Sequence, residues 1–165
     1  MQTGLSPSTD VSRAPWVLSA PGPGDYAGDL EAPEAFALLK DNPKAVLVDV
    51  RSSAEWSFVG LPDLTSLKRQ PLCVEWQTFP GMSLNVRFLE QLQAALKQAG
   101  AGPNDPVLFM CRSGARSKAA AMALTEAGYA QCYNISEGFE GSLDTQRHRG
   151  HNSGWKASGL PWVQS

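Results

Sequence analysis

The chain has 165 residues, about one domain's worth, and its 42% apolar and 18% charged residues exclude both a disordered and a supercharged polymer. A net charge of −2 leaves no diffuse electrostatic footprint for nucleic acid or an anionic membrane. The three cysteines, Cys73, Cys111 and Cys132, form no CxxC pair, so neither a disulfide framework nor a cysteine zinc cluster fits. Thiols in a reducing compartment fit better. No basic, apolar and small-residue leader opens the chain, and no apolar run nears the roughly 18 residues of a membrane span, so a cytoplasmic protein is expected.

In chain order, residues 1–24 hold Pro7, Pro15, Pro21 and Pro23 without a sustained period, which predicts a flexible N-terminal arm that Trp16-Val17-Leu18 could anchor. Residues 25–165 then read as one domain. Pro33 suits the start of a helix carrying Phe36, Leu38 and Leu39. Ala45 to Val50 is an almost wholly apolar run ending Asp49-Val50, as a strand covered on both faces should be. Ser52-Ser53-Ala54-Glu55 has the form of a capping box and opens a short helix. Leu72 to Trp76 reads as a weaker strand or a structured insertion. Asn85 is expected to cap a helix with the stripe Phe88, Leu89, Leu92, Ala95, Leu96 and Ala99, ending at Gly100. Pro106 to Met110 is a second buried strand and Gln131 to Ile135 a third, with a helix from Ser117 to Gly128 between them. From Gly138 onwards loops and one short helix are expected. This alternation predicts an α/β domain with a central parallel sheet of about five strands and helices on both faces.

The chemistry concentrates in Cys111-Arg112-Ser113-Gly114-Ala115-Arg116-Ser117. A cysteine stands at the carboxyl end of a buried strand, the edge where open α/β sheets bind ligands. A helix start and two arginines follow it, and positive potential of that kind favours thiolate over thiol. A tight turn there can direct backbone N–H groups inward as an anion nest, with Gly114 supplying positive φ. Arg112 and Arg116 offer forked donors to a tetrahedral anion above the sulfur, and Ser117 could cap the helix. A lone cysteine at a strand end is usually a packing residue, but this setting reverses that expectation.

Other residues are expected to be structural. Asp49 should accept hydrogen bonds from loop backbone or pair with Arg51 or another base, because a carboxylate beside the sulfur would oppose its negative charge. Arg51 and Glu55, four apart, suit an ion pair. Cys73 and Cys132 read as packing residues, with a resolving thiol as the alternative role. Arg147, His148, Arg149 and His151 read as a solvated basic loop, or else as a border of the pocket. Two histidines in such a loop are a poor basis for a Ser/His/Asp triad. Trp56, Trp155 and Trp162 read as core or rim packing.

Met110 to Ser117 resembles the active-site loop of the rhodanese sulfurtransferases in its CRSGxRS form. Val48-Asp49-Val50-Arg51 with Ala54-Glu55-Trp56 resembles that family's DVR…E(Y/W) segment, and Gly138-Phe139-Glu140-Gly141 sits where a glycine-containing turn follows the last strand. Gly154-Trp155-Lys156 with Gly159-Leu160-Pro161-Trp162 resembles the closing GW…GlP motif, so the likeness spans about residues 27 to 162. Val59 to Leu64 departs from the GHIPGA-like stretch of many relatives, and the connection from Ser66 to Asn85 is long.

The resemblance implies a rhodanese-like fold and a thiosulfate sulfurtransferase working through a Cys111 persulfide. Arg112, Ser113, Gly114, Ala115, Arg116 and Ser117 would bind the substrate, supported by Asp49 and Arg51. It implies no cofactor and no metal. The donor would be thiosulfate, a similar small anion or a partner protein's persulfide, and the acceptor cyanide or a thiol. A phosphatase or arsenate reductase on the same fold is the rival enzyme, and a non-catalytic sulfur-relay or binding module the rival of another class. The related dual-specificity phosphatases use C-x5-R, whereas Cys111 to Arg116 counts C-x4-R.

Overall fold

A computed structural model describes residues 24–164, so the arm expected over residues 1–24 lies, but for Gly24, outside the described residues, as does its Trp16-Val17-Leu18 anchor. The first strand, β1 (Gly28–Leu30), leads into α1 (Ala32–Asp41), β2 (Val46–Asp49) and α2 (Ser53–Phe58). Next come β3 (Leu61–Pro62), a 3-10 turn at Thr65–Leu67, β4 (Leu72–Cys73), β5 (Gln77–Thr78) and β6 (Ser83–Leu84). The second half contains α3 (Phe88–Gln98), β7 (Val107–Met110), α4 (Ala115–Glu126), β8 (Cys132–Ile135), α5 (Gly154–Ala157) and β9 (Trp162–Val163).

Five strands form one sheet in the order β1-β8-β7-β2-β4, with every pairing parallel. The expected architecture is therefore the observed one. β1 carries no apolar alternation and is not legible as a strand in the sequence. It exists because Gly28, Asp29 and Leu30 pair with Tyr133, Asn134 and Ile135, a partnership set by the long-range fold.

The pleat divides the core in two. Val48, Val107 and Phe109 face one side, where they pack with Phe88, Leu92 and Leu96 of α3 and Ala120, Ala121 and Leu124 of α4. Leu47, Leu108 and Met110 face the other, against Ala35 and Leu39 of α1 and Trp155 of α5. Both faces are thus covered by helices, which is why the central strands are apolar without a break. Of the two readings of Leu72 to Trp76 the strand is the one observed, since β4 pairs with β2 as the sheet's edge, and the long connection before α3 then holds the β5–β6 hairpin.

Two helix starts differ from expectation. Asn85 does not cap α3, whose cap residue is Arg87; instead its Oδ1 accepts from the Arg87 N–H at 3.1 Å and its carbonyl from the Phe88 N–H at 3.0 Å. Ser117 does not open α4, which begins at Ala115 behind a left-handed Gly114. A serine in the third helical position has its hydroxyl free for something other than a cap. The Ser52 and Glu55 capping box is present as read: the Glu55 N–H donates to Ser52 Oγ at 3.4 Å and the Ser52 N–H to Glu55 Oε1 at 3.1 Å.

Candidate active site

Cys111 follows the last residue of β7, and its side chain, 2% exposed, forms part of the floor of a cavity at the sheet's carboxyl edge. The loop after it is clamped from above by residues 138–141. The Phe139 N–H donates to the Cys111 carbonyl at 2.8 Å, and the Glu140 and Gly141 N–H groups donate to the Arg112 carbonyl at 2.9 and 3.2 Å. This approach leaves no room for a Cβ at Gly138, which would collide with the Cys111 carbonyl and stand 2.7 Å from that of Arg112.

Among the described residues two donors reach the sulfur. The Gly114 N–H lies 3.1 Å from Cys111 Sγ, and Ser117 Oγ lies 3.2 Å from it. The nest anticipated from sequence is therefore narrower than a ring of backbone amides and is completed by a hydroxyl. Ser117 Oγ also lies 2.6 Å from Asn134 Oδ1 and 3.2 Å from the Gly114 carbonyl. A hydroxyl has one proton, so it cannot serve all three acceptors at once. The Asn134 amide is oriented by its Nδ2, which donates to Asp29 Oδ1 at 3.1 Å, while the Tyr26 hydroxyl donates to the same oxygen at 2.9 Å. Asn134 and Asp29 were not singled out by sequence. A polar residue at the buried face of Cys132-Tyr133-Asn134-Ile135 was the available signal.

The arginines divide differently from expectation. Arg116 grips Glu55 with both ends of its guanidinium, Nη1 to Oε1 at 2.7 Å and Nη2 to Oε2 at 2.9 Å. These bonds occupy two of its five N–H donors, and the side chain still lines the cavity. Burial alone would raise the Glu55 carboxyl, but the Arg116 hydrogen bonds and the Ser52 N–H outweigh it and bring it down to about 2. Arg116 is held correspondingly upward, chiefly by the same Glu55 contact.

Arg51 does not pair with Glu55 either. Its Nε and Nη2 donate to the two oxygens of Asp49 at 2.9 and 2.6 Å, Nη2 also reaches the Gly60 carbonyl at 2.8 Å, and the guanidinium lies 4.3 Å from the centre of the Phe139 ring. Both partners are fully buried. The pair ties β2 to the turn at Gly60, the structural role expected of Asp49. Arg112 is exposed and on the cavity wall, and among the described residues no ion pair engages it.

The cavity measures about 1220 Å³. Ser113 and Ala115 line it beside Cys111, Phe58, Phe79, Met82 and Leu143 give it an apolar side, and Arg147, His148, Arg149 and His151 give it a basic one. The basic loop therefore borders the pocket, the less favoured of its two sequence readings. Trp155 is wholly buried and donates its indole N–H to the Pro161 carbonyl at 2.7 Å, a core role as expected.

Neither remaining cysteine is placed to resolve Cys111. Cys132 is buried, burial pushes its thiol up to about 12, and it pairs across the sheet with Val107. Four residues of strand separate Val107 from Cys111, roughly 13 Å, about twice the Cα span of a disulfide. Cys73 is exposed, against the packing role expected of it, and lies two strands from Met110 through Asp49, roughly 10 Å.

Comparison with known proteins extends the description. The family described as the STR4 middle domain matches residues 28–165. The crystal structure of Rv0390 from M. tuberculosis is 50% identical, covers 86% of this chain and 100% of its own, and superposes with a TM-score of 0.76. The polysulfide-sulfur transferase homodimer of Wolinella succinogenes is 27% identical over 83% of this chain and 78% of its own, with a TM-score of 0.51. An uncharacterized protein of Rickettsia rickettsii is 38% identical over 133 residues, 78% of this chain and 91% of that protein. Among the described residues no helix is long and apolar enough to cross a membrane.

Proposed function

The chain belongs to the rhodanese family, with the STR4 middle domain as the part it matches, and from that premise we propose that it is a sulfurtransferase with Cys111 as its nucleophile. The observation that carries the reading is the Gly114 N–H donated to Cys111 Sγ, with the Ser117 hydroxyl 3.2 Å from the same sulfur and able to turn its one proton to it from Asn134, beneath a cavity with a basic wall. Donors aimed at a sulfur stabilise negative charge on it, first as the attacking thiolate and later as the terminal sulfur of a persulfide. The thiolate attacks the outer sulfur of thiosulfate or a similar small anionic donor. A new S–S bond forms, the bond to the sulfonate sulfur breaks, and its electron pair leaves with sulfite. A cyanide ion, a small thiolate or a partner protein's thiol then attacks the terminal sulfur and returns the Cys111 thiolate.

Arg112 is the arginine free to hold the donor's sulfonate, with Ser113 and Ala115 shaping the floor. Arg116 acts through Glu55 as a brace between α2 and α4 and not as a substrate ligand. That commitment weighs against the phosphatase reading, which needs the arginine at the loop's end for a phosphoryl group. The reaction as written uses no separate general base, metal or nucleotide. A reducing cytoplasmic setting, which keeps the thiol and supplies thiol acceptors, accords with it.

Intact mass after incubation with thiosulfate and brief desalting tests the proposal. We expect a gain of one sulfur atom, its loss on adding cyanide, and no gain in Cys111→Ser. Absence of the adduct on the wild type overturns the reading.

A further inference from the structure

The loop from Ser142 to Ser153 is built more firmly than its polar sequence suggests. The Ser142 N–H donates to Ser153 Oγ at 3.1 Å, the Asp144 N–H to the His148 carbonyl at 2.8 Å, and the Gly150 N–H to the Glu140 carbonyl at 2.7 Å. Within it, Asp144 Oδ1 accepts from the Gln146 and His148 N–H groups at 2.9 and 2.8 Å. These bonds fix the carboxylate and leave Oδ2 turned toward His151. Oδ2 lies 3.4 Å from His151 Nδ1, and a ring nitrogen of His148 completes a set of three ligand atoms all within 4.8 Å of one another.

The separation of Asp144 Oδ2 and His151 Nδ1 suits a shared metal better than a simple ion pair. Ligands bound to a tetrahedral zinc at ~2.0–2.1 Å stand about 3.3–3.4 Å apart, which is the spacing of Asp144 Oδ2 and His151 Nδ1. It is longer than a good charge-assisted hydrogen bond of ~2.7–2.9 Å. His148 is exposed, so its ring can close the remaining distance without disturbing a core. Of the two neighbouring arginines, Arg149 turns its Nη1 onto the Gly141 carbonyl at 2.7 Å.

We infer that Asp144, His148 and His151 bind a divalent transition cation of the zinc class on the wall of the cavity that holds Cys111. Two imidazoles and one carboxylate are a borderline N/O set, matched to zinc, nickel or copper and not to magnesium or calcium. Three protein ligands leave a fourth position for water or for a thiolate entering the cavity. None of the three is a donor to Cys111 Sγ or the arginine assigned to the sulfonate; His148 and His151 do belong to the basic wall of the cavity, but metal binding is read without any sulfur transfer, so the two proposals can fail independently.

The test is calorimetric titration of the full chain with zinc chloride at neutral pH, using Cys73→Ser/Cys111→Ser so that accessible thiols do not compete. We expect one zinc per chain, with affinity weakened at least tenfold by His151→Ala, by His148→Ala and by Asp144→Asn. Circular dichroism checks that each variant is folded. Because Asp144→Asn also disturbs the loop, zinc K-edge absorption on the loaded Cys73→Ser/Cys111→Ser protein, in which only the buried Cys132 remains, provides a second reading, expected to show a nitrogen and oxygen shell with an imidazole signature. Stoichiometric binding that His151→Ala and His148→Ala leave unchanged overturns the inference, as does the absence of binding once the two thiols are removed.

Discussion

Replacing Glu55 with Gln removes the charge that fixes Arg116 and one of the two acceptors of its fork, while the amide oxygen can still make the reciprocal cap on Ser52. Holding this carboxyl at about 2 against an ordinary value of 4.5 corresponds to about 3 kcal/mol through linkage. Both side chains retain slightly under a fifth of their exposure, so solvent screening brings the expected loss in Glu55→Gln to about 2 kcal/mol at pH 7. The sign follows from a folded value below the unfolded one: the stabilisation is complete above 4.5 and is lost as pH falls toward 2. Urea unfolding of wild type and Glu55→Gln at several pH values between 7 and 2.5 should therefore give curves that converge in acid. Arg116→Ala should cost a similar amount, and the double variant little more than either, since the two side chains act as one unit. A gap that stays constant from pH 7 to 3, or strict additivity in the double variant, would refute the assignment of Arg116 as a brace.

Three further outcomes follow from the geometry. Gly138→Ala should destabilise by more than about 2 kcal/mol and slow sulfur loading, because its Cβ meets two carbonyls of the loop; thermal unfolding and persulfide mass read both effects, and a wild-type melting curve would show that the clamp is loose. Arg112→Ala should raise the KM for thiosulfate about tenfold or more while leaving urea stability within ~0.5 kcal/mol, since an exposed arginine contributes a charge-assisted bond only when the anion is bound. Ser117→Ala should slow persulfide formation roughly 10–100-fold, with a stability cost of about 1–2 kcal/mol from the unpaired Asn134 oxygen; an unchanged loading rate in stopped-flow would remove Ser117 from the sulfur's environment.

What the sequence could and could not disclose divides by the range of the interactions involved. Val46 to Asp49 and Val107 to Met110 are strands because nearly every side chain is apolar, a local signal that needs no partner to be read. The Ser52 and Glu55 box is equally local. β1 is not, for Gly-Asp-Leu becomes a strand only when Tyr133 to Ile135 lies beside it. Asn134 and Asp29 are 105 residues apart and meet for the same reason. The position of Cys111 follows from a strand end, a glycine and a helix start within seven residues, all visible in the chain.

The arginines show why proximity in sequence was the wrong guide. Arg51 and Glu55 are four apart, a spacing that favours contact only if both lie on one helix. Arg51 precedes α2, and its backbone N–H donates to Asp49 Oδ1, which turns its side chain under the loop toward Phe139. Glu55 is thereby left for Arg116, 61 residues away, where the first turn of α4 faces the first turn of α2. Each brace neutralises itself, Asp49 with Arg51 and Glu55 with Arg116, so neither contributes net charge to the cavity. Among the described residues, the basic side chains left unpaired with a carboxylate on the cavity wall then include Arg112 and Arg147, beside the start of α4. Their basic groups line the cavity, while the groups that reach the sulfur, the Gly114 N–H and the Ser117 hydroxyl, carry no charge. An anionic donor would be drawn inward by the rim and oriented over the sulfur by hydrogen bonds, and the outgoing sulfite would leave past the same groups that received it.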